Sequence, residues 1–224
     1  MPKRDRWTLS EALLVGAAWW LPSLLLLALG SSLLHSLPHL HPTLRFYDVD
    51  SFLPVSFALL GVVLFAGSVV IFLVRKAKPE GFAKSISWAC GTRVLGFASL
   101  AGLIFGAVYL LVRHLLFRYT YQQHTVEYVA AFLVLMVIAE PFLEEAYFRG
   151  ILYIAIDDRF GRIWSGIMVT TLFALMHPQH FLTVLPASAL FTGVRIYTGS
   201  VKASCGCHAA YNLSVLLLGL ATGT

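Results

Sequence analysis

Four charged side chains fall inside an otherwise apolar stretch, EPFLEEAYFRG at 140–150, directly after the run VAAFLVLMVIA. A charge near mid-membrane costs about 2.5–3.5 kcal/mol on insertion scales, so Glu140, Glu144, Glu145 and Arg149 need partners or water. Helical spacing supplies one partnership: Glu145 and Arg149 stand at i and i+4 with the acid first, the better order for an ion pair. Glu144 is rotated about 100° away and is left without that cation, with Glu140 one turn earlier as a possible like charge. Glu144 is therefore the candidate general base. Pro141 adds a kink and, at α-helical spacing, frees the carbonyl of Val137, which is tolerated at membrane depth only against protein or a water-filled cavity. The competing reading is a cytoplasmic helix end whose charges are simply solvated.

Two further polar sites lie downstream. FALMHPQH ends an apolar segment at His177, and the proline at 178 disfavours helical geometry there, which predicts a helix end where the imidazole turns into a cavity. If 127–156 and 163–177 form a hairpin about the turn DDRFGR, Glu144 and His177 lie at one depth, roughly 20–25 Å of helix from that turn. CHAAYN places His208 and Asn212 on one helix face, able to donate to an oxygen bearing developing negative charge. The structural alternatives are a boundary histidine at 177, a role that suits His180 better, and interhelical hydrogen bonding by His208 and Asn212.

These residues must be carried by membrane helices. The chain has 224 residues, 58% hydrophobic and 12% charged, with a mean hydropathy of +0.80, outside the range of a soluble domain. Apolar segments at 11–34, 52–74, 94–112, 127–156, 163–177, 181–198 and 203–222 predict an all-α fold. The expectation is one integral-membrane domain over 1–224, a polytopic transmembrane bundle of about seven helices around a polar cavity. The first segment exceeds the roughly 7–15 residues of a signal-peptide core and reads as a retained helix. Twelve of the 16 Lys and Arg residues, Arg195 among them, fall in the inner group if the N-terminus is inside. Arg45, Arg113 and Arg118 are outer, and Arg149 lies within the membrane. The bias predicts a cell-membrane protein with a cytoplasmic N-terminus. It also accounts for the formal charge of +5 without a nucleic-acid partner.

The loop RKAKPEGFAKSISWACGTR at 75–93 interleaves Phe82, Ile86 and Trp88 with basic residues, which suits either a short interfacial helix or an ordinary basic loop. His35, His39 and His41 sit in a proline-broken outer loop that reads as solvated rather than metal-binding. In CGCH at 205–208 one residue separates the cysteines, whereas covalent haem attachment needs two, so Cys90, Cys205 and Cys207 read as small packing residues.

Taken together, Glu144-Glu145-x-x-x-Arg149, Phe173-x-x-x-His177 and His208-x-x-x-Asn212, in that order on apolar segments, resemble the CAAX-protease and bacteriocin-processing (CPBP, or Abi) family of intramembrane proteases. Gly150 and the lead-in GVRIYTGSVKASCGCHAAYN are also similar, so the resemblance covers about 140–215. Glu140 departs from it, at a position where the family often has a small or apolar residue. The resemblance implies peptide-bond hydrolysis within the membrane on a membrane-associated protein or peptide. Glu144 and His177 would activate water, His208 and Asn212 would stabilise the oxyanion, and Glu145 and Arg149 would support them. It implies no cofactor; the alternative is zinc on Glu144, His177 and His208, which would consume the obvious base. A non-enzymatic alternative, a proton-coupled carrier or a bacteriocin-immunity protein, would use the same polar cluster. No inverted pair of broken helices supports the carrier.

Overall fold

The computed structural model describes the backbone of residues 6–40, 49–117 and 133–222. Every regular element among them is helical: α1 (Leu9–Leu40), α2 (Val49–Ala77), α3 (Pro79–Ile86), α4 (Thr92–Phe117), α5 (Glu140–Glu145), α6 (Tyr153–Phe160), α7 (Arg162–Leu175), α8 (Phe181–Thr198) and α9 (Val201–Thr222). Arg45 and Arg118, His41, and the start of the segment expected at 127–156 lie outside the described residues, as do the side chains of His35 and His39.

The fourth apolar segment is not one helix. Short α5 is bracketed by two π-helical stretches, Leu133–Ala139 and Ala146–Leu152. Each widens the hydrogen-bond spacing from four residues to five, a feature frequent at functional sites. After α6 the chain turns at Gly161, whose φ of 83° lies in the region that favours glycine, and returns as α7. This is the expected hairpin.

The seven-span expectation is met only in part. Thr92–Val112 and Phe181–Thr198 are the two helices among the described residues long and apolar enough to cross a membrane, and α7 is apolar but shorter. The reason for the fourth segment is local, since its charges and Pro141 interrupt both its apolarity and its regular spacing. The loop at 75–93 does form a short helix, α3, which buries Ser85 and Ile86. The loop expected at 35–41 is instead helical through Leu40, with Pro38 carried inside α1.

Large apolar side chains point outward along the long helices: Leu13, Leu14 and Leu21 on α1, Phe65 and Phe72 on α2, Phe97, Ile104 and Leu111 on α4. Helix faces this rich in exposed apolar side chains fit an apolar solvent. The inward faces pack around the interrupted segment, where Tyr147, Phe148, Ile151, Leu152 and Ile156 join Trp19, Leu64 and Ile71 in one buried cluster. Tyr147 reaches α1, its hydroxyl donating to the carbonyl of Ala12 at 3.3 Å.

On the other side α4 lies along α9, and small residues make the approach possible. A Cβ on Gly102 would run into the Cys207 carbonyl, and one on Gly106 into Ser214. Ala98, Ala203 and Cys207 fill the same seam. Small residues four apart let membrane helices meet backbone to backbone, and Cys207 serves as one of them. Gly102→Val should therefore lower the unfolding free energy in detergent by about 1–3 kcal/mol. Gly96→Ala on the same helix, whose added carbon meets nothing within 4 Å, should leave it level or slightly higher; thermal unfolding of the two variants compares them.

Candidate active site

Pro141 opens the site. It has no N–H, and at the five-residue spacing of the π-helix before it, the carbonyl that its amide would have served is that of Met136. The side-chain amide of Asn212 on α9 donates to that carbonyl at 2.7 Å. The freed carbonyl is thus one residue earlier than the Val137 expected from α-helical spacing. One of Asn212's two N–H groups is committed to holding the backbone that leads into α5.

Four residues on, the two adjacent glutamates separate. Glu145 is fully buried and meets Arg149 Nη1 through Oε1 at 2.9 Å. The same oxygen stands 3.0 Å from His208 Nδ1, and its Oε2 accepts from the Ser204 hydroxyl at 2.5 Å. Three donors leave this carboxylate no capacity for reaction chemistry. Glu144 is also buried, though not completely, and is differently placed. Among the described residues nothing donates a hydrogen bond to it; Oε1 lies 3.9 Å from His177 Nε2 and Oε2 3.9 Å from His208 Nε2.

Both imidazoles are oriented from behind. His177 follows the last turn of α7 with φ −118° and ψ 62°, the non-helical geometry that Pro178 favours. Its Nδ1 donates to the carbonyl of Phe173 at 3.0 Å, which turns the bare Nε2 toward Glu144. His208 is held by Glu145 on Nδ1 and stacks on Phe191, ring centroids 4.3 Å apart. His180 is exposed and takes no part.

The buried cation is satisfied on every side. Arg149 Nη2 donates to the Ser188 hydroxyl at 2.7 Å and to its carbonyl at 3.2 Å, and Nε faces the Thr192 hydroxyl at 3.4 Å. The guanidinium lies over the Phe173 ring, 4.3 Å from its centroid. A desolvated guanidinium is tolerable only in such company, since charge-assisted bonds replace the lost hydration and the ring faces add cation–π attraction.

Glu144, Glu145, Arg149, His177 and His208 thus come together, while Asn212 sits at the edge with its amide on Met136. Ser188, Thr192, Arg195 and Ser204 are additions. Ser188, Thr192 and Arg195 recur at helical spacing along one face of α8, and Ser204 stands one turn before His208; that periodicity of hydroxyls and a cation in apolar helices is the signal that marks them. Arg195 is counted above in the inner group and within the segment expected at 181–198. It lies in the last turn of α8, 7% exposed, because the helix continues to Thr198.

Breaking a buried pair strands the remaining charge, at a cost of about 3–5 kcal/mol. Arg149→Ala and Glu145→Ala should each lose that much stability in detergent, and the double variant much less than their sum. A thermodynamic cycle built from denaturant unfolding reads the coupling directly.

Comparison with known proteins reaches the same segment. Residues 126–214 match the family model described as type II CAAX prenyl endopeptidase Rce1-like. No curated protein and no solved structure matches the chain. The matched range includes the whole cluster from Met136 to Asn212, and over it the chain is similar to that family.

Proposed function

We propose that this protein is an intramembrane endopeptidase that cleaves a membrane-associated protein near its C-terminus, with Glu144 as general base. The observation that carries the reading is the contrast between two neighbouring carboxylates. Glu145 is consumed by Arg149, His208 and Ser204, whereas Glu144 faces two imidazoles and accepts no hydrogen bond among the described residues. The family match supports the reaction class and a prenylated, membrane-associated substrate.

A water at ordinary hydrogen-bond distance, ~2.8 Å, from both Glu144 Oε1 and His177 Nε2 fits their 3.9 Å separation. Glu144 takes a proton from that water as the oxygen attacks the scissile carbonyl, and His177 orients it through its bare Nε2. The tetrahedral oxyanion then needs donors. His208, its Nδ1 backed by a carboxylate, supplies one from Nε2 when it carries the second proton. The uncommitted N–H of Asn212 supplies the other. Collapse of the intermediate returns the proton from Glu144 to the leaving amine.

Metal-assisted hydrolysis is the competing mechanism. Among the described residues no group of three His, Cys, Asp or Glu side chains is arranged to hold a metal ion. The Glu144 oxygens face one imidazole each rather than converging with them, and ligation would occupy the carboxylate that this reading assigns to proton transfer. The reading therefore assigns no metal, and the seven expected segments with a cytoplasmic N-terminus complete it.

In proteoliposomes, Glu144→Gln should lower kcat for a prenylated C-terminal peptide by about 10²–10⁴-fold; cleavage at the wild-type rate would remove Glu144 from the mechanism. No cleavage by the wild type of any membrane substrate would favour a carrier or immunity protein. A chelator should leave the rate unchanged, and loss of activity that zinc restores would replace the metal-free mechanism.

A further inference from the structure

The second π-helical stretch, Ala146–Leu152, gives way to α6 at Tyr153, whose amide is shared between the carbonyl of Gly150 and, five residues back, that of Phe148. Where five-residue spacing returns to four, the ladder passes over one carbonyl. After a bond from 153 to 148, the next four-residue bond runs from 154 to 150, and the carbonyl omitted is that of Arg149. An acceptor left bare in an apolar interior is costly, so the step persists only if a donor arrives from outside the helix.

That donor is present. Arg195 Nε donates to the Arg149 carbonyl at 2.9 Å, and its guanidinium lies 5.4 Å from the centroid of the Tyr153 ring, at the first residue of the resumed α-helix. Arg195 also shares its face of α8 with Ser188 and Thr192, which hold the other end of the same residue. The helix thus grips Arg149 by side chain and backbone together. We infer that Arg195 is a positioning residue that latches this π-helical step and so sets the rotation of Glu144 and Glu145 toward His177 and His208.

An alternative register lies close at hand. Without Arg195, the Tyr153 amide can turn from its shared bond with Phe148 and Gly150 to the Arg149 carbonyl between them, four residues back, which restores ordinary α spacing. The segment before the step then rotates relative to α6, carrying Glu144 away from the imidazoles. Asn212 on Met136 is the matching latch at the first π stretch, but there the missing donor is a proline's.

The consequence for turnover rests on the function proposed above, whereas the latch does not, and the two are tested apart. Amide hydrogen exchange over residues 149–156 of the full chain in micelles should quicken about tenfold in Arg195→Gln, with residues 162–175 unchanged. Arg195→Lys, which keeps a cation and an N–H donor, should fall between Gln and wild type, and it answers the same question if the Gln variant does not fold. In proteoliposomes kcat for the prenylated peptide should drop about tenfold with KM near the wild-type value, and Lys should recover part of it. Wild-type exchange in both variants overturns the latch. A raised KM with unchanged kcat would make Arg195 a substrate contact instead and overturns it as well. If the wild type cleaves nothing, the function fails while exchange still decides the latch.

Discussion

A charge pair sealed from water governs this structure. Glu145 and Arg149, both fully buried, sit where each alone would be prohibitive. Keeping them there requires Ser188 and Thr192 from α8, Ser204 and His208 from α9, and the ring of Phe173 from α7. Three helices are therefore tied to one residue pair by the need to satisfy it. The imidazole of His208 is oriented as a by-product of the same demand.

The pair also explains how two adjacent glutamates acquire opposite characters. Neighbours on a helix differ by about 100° in direction, so only one can face the arginine. The other is delivered, unpaired, to the space between His177 and His208. Reactivity at Glu144 follows from satisfaction at Glu145, and both depend on α5 entering and leaving with the correct rotation. That rotation is controlled at each end by a backbone carbonyl bonded to a distant side chain, Met136 by Asn212 and Arg149 by Arg195.

Much of this was readable from the residues. Apolar length declared the helices, the four-residue interval declared the Glu145–Arg149 pair, and Pro178 declared the helix end at His177. The π-helical stretches were not readable. An apolar run such as LVLMVIA has the same composition whether its amides reach back four residues or five, so the carbonyl freed by Pro141 was misplaced by one. Arg195 reads from the sequence only as one more cation of the inner group, near the end of a helix. Its burial depends on a carbonyl that only the widened spacing exposes. Ser188, Thr192 and Ser204 are ordinary residues for a membrane helix, and nothing but a buried guanidinium or carboxylate opposite makes them specific.

The two widened stretches bear on how such a chain can change over generations. Each accommodates what amounts to one surplus residue relative to a regular helix. Substitutions along the lipid-facing side of this segment alter composition but not phase. Loss or gain of a single codon between Met136 and Tyr153 shifts everything beyond it by about 100°, turning Glu144 toward lipid or sealing it against Arg149. The reading frame of the helix, in the sense of residues per turn, is thus an inherited quantity here, as consequential as the identity of the glutamate itself.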